Sequence, residues 1–355
     1  MRGAVMYGPG DVRVEDRNDP RIVDPTDAII RVSVACVCGP DLWPYRGIGV
    51  GDDAWPMPMG HEYVGIVEEV GDEIATIRPG QFVVGSFWAS DNTCAICRGG
   101  YQSACVNRVP MGALGAQAEL LRVPLADGTL VATPDIPSHD LLPSLLAASD
   151  VLGTGWFAVV AAEAGPGKTV AVVGDGAVGL LAVLAAKQVG AERIIAMSRH
   201  EDRQRLAREF GATDIVEERG DEGVERIKEL TDGLGAHSVV EAVGTQESMM
   251  QALHATRPGG HVGFVGVTHD VAVPGMDLFW SLAHLHGGPG SGPPLPARAD
   301  RADLEPDDRT RKGLRPRAPA QRRRRRVRGD GRTTCDQGAS APMSARPHTK
   351  GRTEG

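Results

Sequence analysis

Three cysteines sit close together in the segment DNTCAICRGGYQSAC. Cys94, Cys97 and Cys105 are spaced C-x2-C-x7-C, and Asp91 stands three residues before the first. Three thiolates and a carboxylate suit zinc, which takes four tetrahedral ligands in a closed structural site. A second constellation is spread along the chain: Cys38 in VCGPDLW, His61 and Glu62 in GHEYVG, and Asp150 in ASDVLGTGW. Cys36 competes with Cys38 for the thiolate role. Three such ligands with an open fourth position make a catalytic zinc. A third group handles phosphate. Gly174, Gly176 and Gly179 supply G-x-G-x-x-G, with Val178 inside the motif. The first glycine makes the tight turn, the second admits the pyrophosphate to the backbone, and the third lets helix pack on strand. The strand after it ends in Ser198-Arg199, where an NAD site usually carries a carboxylate for the ribose. A small hydroxyl and a guanidinium fork favour the 2′-phosphate of NADP over NAD. The competing assignment gives the ribose to Glu201 or Asp202 and leaves Arg199 as a surface residue.

These residues need elements to hold them. Residues 1–150 read as short β-branched strands punctuated by glycine, among them AIIRVSVACVC, EYVGIVEEVG and GQFVVGSFW. From about residue 168 the rhythm changes. TVAVVG, RIIAMS, HSVVEAVG and GHVGFVGV are buried-strand runs that alternate with the helical stretches GLLAVLAAKQVG and HEDRQRLAREFG, the second closed by Gly211. That alternation predicts a parallel sheet with helices on both faces, bound to a β-rich first domain. The phosphate loop then falls where it must, between a strand and a helix N-terminus whose N–H groups and dipole attract anions.

The 355 residues suffice for two cores, and the 41% hydrophobic and 24% charged balance excludes wholesale disorder. No long uncharged apolar run predicts a membrane span, and the N-terminus lacks the apolar centre of a signal peptide, so a cytoplasmic enzyme is expected. In that compartment six cysteines point to metal rather than disulfides. The net charge of −8 hides a split: residues 290–355 hold 17 Lys and Arg against 8 Asp and Glu. That stretch has no Ile, Phe, Tyr or Trp. It cannot offset an ordering entropy of ~1–2 kcal/mol per residue, so a disordered tail is expected.

Taken in order, C-G-x-D at Cys38, G-H-E at Gly60, the cysteine lobe, D-x-x-x-T-G at Asp150 and the glycine loop at Gly174 resemble the zinc-dependent alcohol dehydrogenases of the medium-chain dehydrogenase/reductase superfamily. The resemblance runs to about Pro289. It implies an α/β architecture: a GroES-like catalytic domain over 1–150, a doubly wound Rossmann domain over 151–289, and an active site in the cleft between them. It implies that Cys38, His61 and Asp150 bind the catalytic zinc, with Glu62 as a near-shell or alternating ligand and Asp41 orienting His61. Asp91, Cys94, Cys97 and Cys105 match the structural zinc lobe. Thr154 falls beside the nicotinamide, and Val243, Gly244, Gly266 and Val267 line its pocket. The implied activity is hydride transfer between an alcohol, polyol or carbonyl and NADP or NAD, in a homo-oligomer of two or four chains. Two other readings compete with it. One is a zinc-free relative of the quinone reductases. The other is an impaired zinc protein whose arginine-rich tail binds polyanions, although nucleic acid is not an expected partner. Pro40 departs from the family, which often carries a hydroxyl there as a proton relay.

The tail departs more. Each residue fixes most of its codon, so 290–355 can be re-read one base later. GPPLPARADRADLEP then permits VRRYLPELIELIWNR, an amphipathic helix, and DGRTTCDQGASAPMS permits MDERRAIKVLLRP followed by a stop. The re-read text regains the Ile, Trp and Tyr that the written text lacks. Residues 290–355 are therefore expected to be the product of a frameshift near Pro289.

Overall fold

The structure is a computed structural model that describes residues 1–290. The expected disordered tail, apart from Gly290, lies outside the described residues.

The chain opens with the antiparallel hairpin of β1 (Arg2–Gly8) and β2 (Asp11–Asp16). A five-stranded antiparallel sheet follows: β3 (Ala28–Ala35), β4 (Tyr63–Val70), β5 (Phe82–Gly85), β6 (Leu120–Val123) and β7 (Leu130–Ala132). Its spatial order is β7-β5-β4-β3-β6. The period of two decides what each face buries. Ile30, Tyr63, Val83 and Leu121 enter one core. Val64, Phe82 and Val84 point the other way, and Leu146 of α1 (Leu142–Ala147) covers them.

The second half is built as its alternating rhythm requires. β8 (Thr169–Val173), β9 (Arg193–Met197), β10 (Asp214–Val216), β11 (Ala236–Glu241), β12 (Thr256–Phe264) and β13 (His284–Gly287) form one parallel sheet. The order β10-β9-β8-β11-β12-β13 reverses direction at β8 and β11, the crevice where doubly wound sheets bind dinucleotides. Val170, Val172, Ile194 and Ala196 pack one face, and Ala171, Val173, Ile195 and Met197 the other. Both faces are buried, which is why these strands read as unbroken apolar runs. Helices α2 (Val151–Ala161), α3 (Ala177–Gln188), α4 (Glu201–Phe210), α5 (Gly220–Glu229), α6 (Gln246–Ala255) and α7 (Gly275–Ser281) occur between or before these strands. Gly211 ends α4 at φ +123°, as its sequence position predicts.

The segment His139–Ala161 is helical, and by length and composition it is apolar enough to cross a membrane. More than half of its most apolar 18-residue stretch is buried inside the fold, and the segment carries Asp150. It is a core helical segment, made apolar by packing on α3.

Candidate metal and cofactor sites

Three separate parts of the chain deliver the first site. Cys38 lies in the loop after β3, where its N–H donates to Asp41 Oδ2 at 2.9 Å and so closes a tight turn. His61 and Glu62 immediately precede β4. Asp150 caps the start of α2. One ligand atom from each of Cys38, His61, Glu62 and Asp150 lies within 4.8 Å of all the others. Asp150 Oδ2 is 3.3 Å from His61 Nε2 and 3.6 Å from Cys38 Sγ. Its Oδ1 accepts from Thr154 Oγ1 at 2.7 Å. Asp41 Oδ1 lies 3.4 Å from His61 Nδ1. That contact favours the tautomer protonated at Nδ1 and turns the Nε2 lone pair toward the cluster.

The electrostatics of the cluster fit a cation. Burial and the neighbouring Asp150 push the Cys38 thiol and the Glu62 carboxyl up from their usual ranges. Burial works against a charged His61, yet Asp150 and Asp41 outweigh it and raise its pKa to about 10. Two carboxyl groups and a thiol thus share a buried pocket that favours positive charge. Glu62 Oε1 is buried without a hydrogen-bond partner. Cysteine sulfur, imidazole nitrogen and carboxylate oxygen together are a zinc donor set. Cys36 is close by, bonded to Glu62 Oε2, but it stands outside the four-donor group.

The second site is the predicted lobe. Asp91, Cys94, Cys97 and Cys105 bring ligand atoms within 4.8 Å of one another. Cys94 caps the helical turn Ala95–Arg98, and its sulfur accepts the Cys97 N–H at 3.4 Å. The Asn107 N–H points at Cys105 Sγ at 3.4 Å. N–H groups aimed at sulfur stabilise thiolates. They pull Cys94 down, while burial and the Cys94 sulfur push Cys97 up. Asp91 is held well below the usual carboxylate range by the Thr93 and Cys94 N–H groups and by Asn107. All five cysteines among the described residues are free thiols.

The dinucleotide loop joins β8 to α3. Gly174 has φ +117°, Gly176 caps α3, and a Cβ on Gly179 would stand 2.0 Å from the Gly174 carbonyl. No side chain fits there, so the third glycine is sterically required. Val178 is half-buried in the first turn of α3. Ser198 is fully buried at the end of β9, and Arg199 is exposed beside it. At the other wall the Val243 and Gly244 N–H groups donate to Glu241 Oε1 at 2.9 and 2.7 Å. Gly244 abuts the Val267 carbonyl closely enough that a Cβ would meet it at 2.2 Å. The turns holding Val243-Gly244 and Gly266-Val267 are therefore in contact.

Asp175, Glu241 and His269 escaped the sequence reading. Asp175 bonds Ser198 and Arg203. The fully buried Glu241 holds the Val243-Gly244 turn. Trp43 and His269 form a ring contact at 4.1 Å across the two halves. Only Asp175 had a signal, since it lies inside the glycine motif.

Comparison with known proteins agrees with this geometry. Residues 24–135 match the alcohol dehydrogenase GroES-like domain and residues 177–287 the zinc-binding dehydrogenase domain. The chain is 36% identical over 279 residues to the medium chain reductase/dehydrogenase ucsI of Acremonium sp., covering 76% of this chain and 94% of that protein. It resembles the alcohol dehydrogenase TADH from Thermus sp. ATN1 with a TM-score of 0.75 and 34% identity, over 82% of this chain and 85% of that one. A Sinorhizobium meliloti 1021 chain, described as a zinc-binding dehydrogenase bound to NADP, aligns at 25% identity and a TM-score of 0.70, over 88% of this chain and 89% of that one.

Proposed function

Because the chain belongs to the zinc-dependent alcohol dehydrogenases of the medium-chain dehydrogenase/reductase superfamily, we propose that it moves hydride between a small alcohol or carbonyl compound and NADP. The observation that carries the reading is the convergence of Cys38, His61, Glu62 and Asp150 from three parts of the sequence. Cys38, His61 and Asp150 are the catalytic zinc ligands in this reading, and Glu62 is the alternating one. Zinc bound there supplies Lewis acidity, which lowers the pKa of a hydroxyl group placed on it. Asp41 fixes the His61 ring. Thr154 donates to one oxygen of Asp150 and leaves the other directed at the cluster. Val243-Gly244 and Gly266-Val267 orient the nicotinamide and keep water from its face. Pro40 has no hydroxyl, so residue 40 would not relay the substrate proton.

Metal analysis of the purified chain, followed by assays of NADPH and NADH oxidation with a panel of aldehydes and ketones, tests this. Expected are about two zinc ions per chain, one for each donor group, and faster turnover with NADPH. Turnover without zinc would support the quinone-reductase-like alternative. Two zinc ions without turnover would support the impaired zinc protein.

We propose further that 1–150 and 151–289 are the catalytic and cofactor domains, and that 290–355 is the product of a one-base insertion. The domain match ends at residue 287, just before the composition changes. Sequencing the codons for His286 to Gly290, beside the intact mass of the chain, is expected to find the extra base. Its absence from the gene would make the written tail an error of the sequence instead.

A further inference from the structure

The dinucleotide loop carries a charge that its motif does not call for. Asp175 stands between Gly174 and Gly176 with its side chain 14% exposed. Its Oδ2 accepts from Ser198 Oγ at 2.7 Å, and its Oδ1 from Arg203 Nη1 at 2.8 Å. Burial raises its pKa, but the Ser198 and Arg203 bonds and the charges of Arg203 and Arg219 prevail and hold it below the usual range. Arg219, which caps α5, faces the same spot: it feels the attraction of Asp175 and the repulsion of Arg199. Its Nη1 is buried without a partner. Its Nη2 reaches only the Met197 carbonyl, at 3.5 Å. One guanidinium and a hydroxyl thus bond this carboxylate, the Arg219 guanidinium stands near enough to act on it, and Arg199 in turn lies near Arg219.

That is the donor complement of a phosphate dianion, and one aspartate already occupies part of it. We propose that Asp175 is a specificity-determining residue. It competes with the 2′-phosphate of NADP for Ser198 and Arg203, and it offers the ribose 2′-hydroxyl of NAD an acceptor. The alternative carboxylates stand elsewhere: Glu201 and Asp202 are exposed on α4, and Asp202 pairs with Arg205 at 3.0 Å. Asp175 thus narrows a preference for NADP that Arg199 and Arg219 create. The inference rests on the reading that this end of the cleft receives the adenosine ribose.

Two cofactor fragments without a nicotinamide separate the terms. Calorimetry on the full zinc-loaded chain would compare adenosine 2′,5′-bisphosphate with 5′-AMP. Asp175→Asn is expected to tighten the bisphosphate about tenfold and to leave AMP unchanged or weaker, the scale of one partly screened charge. Arg219→Gln is expected to weaken the bisphosphate by about the same factor and spare AMP. Equal shifts of both ligands in Asp175→Asn, with unchanged circular dichroism, would reduce Asp175 to a structural part of the loop and overturn the proposal. An unchanged ratio would overturn it too. Tighter binding of AMP by the native chain would refute the NADP reading but not the shift in ratio expected for Asp175→Asn.

Discussion

Cys38→Ala is expected to remove one of two bound zinc ions and to lower kcat/KM by at least about a thousandfold. The size follows from the chemistry: the Lewis acid supplies several kcal/mol at the developing charge, and each 1.36 kcal/mol is about tenfold. The donors are interdependent, because the cluster is buried. Cys38, Glu62 and Asp150 are 8%, 2% and 7% exposed. Without the thiolate, the remaining imidazole and carboxylates must hold the ion with solvent in place of sulfur. Cys36→Ser is the control. Cys36 lies against Glu62 and outside the four-donor group, so this variant should keep both ions and lose little rate. Atomic absorption and steady-state assays on the same samples check both. A Cys38→Ala chain that keeps two ions and full turnover would assign the thiolate role to Cys36.

The contrast between these two cysteines marks where the sequence was legible. Cys36 and Cys38 are two residues apart in an extended segment, so their side chains were open alternatives until the turn closed by Asp41 fixed one of them. Asp150 is 112 residues from Cys38, and no local spacing links the two. Residue type alone grouped them as candidate ligands, and the resemblance supplied their roles. The cofactor half was easier. Its strands are buried on both faces and its glycines are sterically required, so composition and position both report the fold. Side-chain direction was beyond reach. Nothing in GDGAVG says that Asp175 turns toward Ser198 rather than toward water, and nothing in HSVVEAVG says that Glu241 folds back onto the turn after it. Asp175 finds its partner Ser198 23 residues away, and Glu241 is a fully buried carboxyl of which only Oε1 is bonded. The apolar run His139–Ala161 is ambiguous by composition alone, because core packing and a lipid environment select the same residues.

The structural lobe is where metal removal should cost the most stability. Residues 91–107 contain only a four-residue helical turn and a three-residue 3-10 turn, and Ile96, Tyr101 and Val106 are 41%, 44% and 70% exposed. Such a segment buries little apolar surface of its own. Its order rests on Cys97 and Cys105, which are 3% and 0% exposed, and on the N–H groups directed at sulfur and at Asp91. In small metal-held segments the binding energy of the ion is folding energy. Cys97→Ala is therefore expected to release the second zinc and to destabilise the first half of the chain by at least about 3 kcal/mol, the range reached when a metal site is lost. It should also open Arg98 and Arg108 to trypsin. The adenosine bisphosphate affinity should survive, because the glycine loop and β9 belong to the other core. Asp91→Cys gives the complementary result. The carboxylate already lies 3.5 Å from Cys97 Sγ and is kept ionised by three N–H donors, so a thiolate there should retain the ion and resist chelators longer. Unchanged zinc content and an unchanged tryptic pattern in Cys97→Ala would mean that the lobe holds itself without metal, and that its four donors are only neighbours.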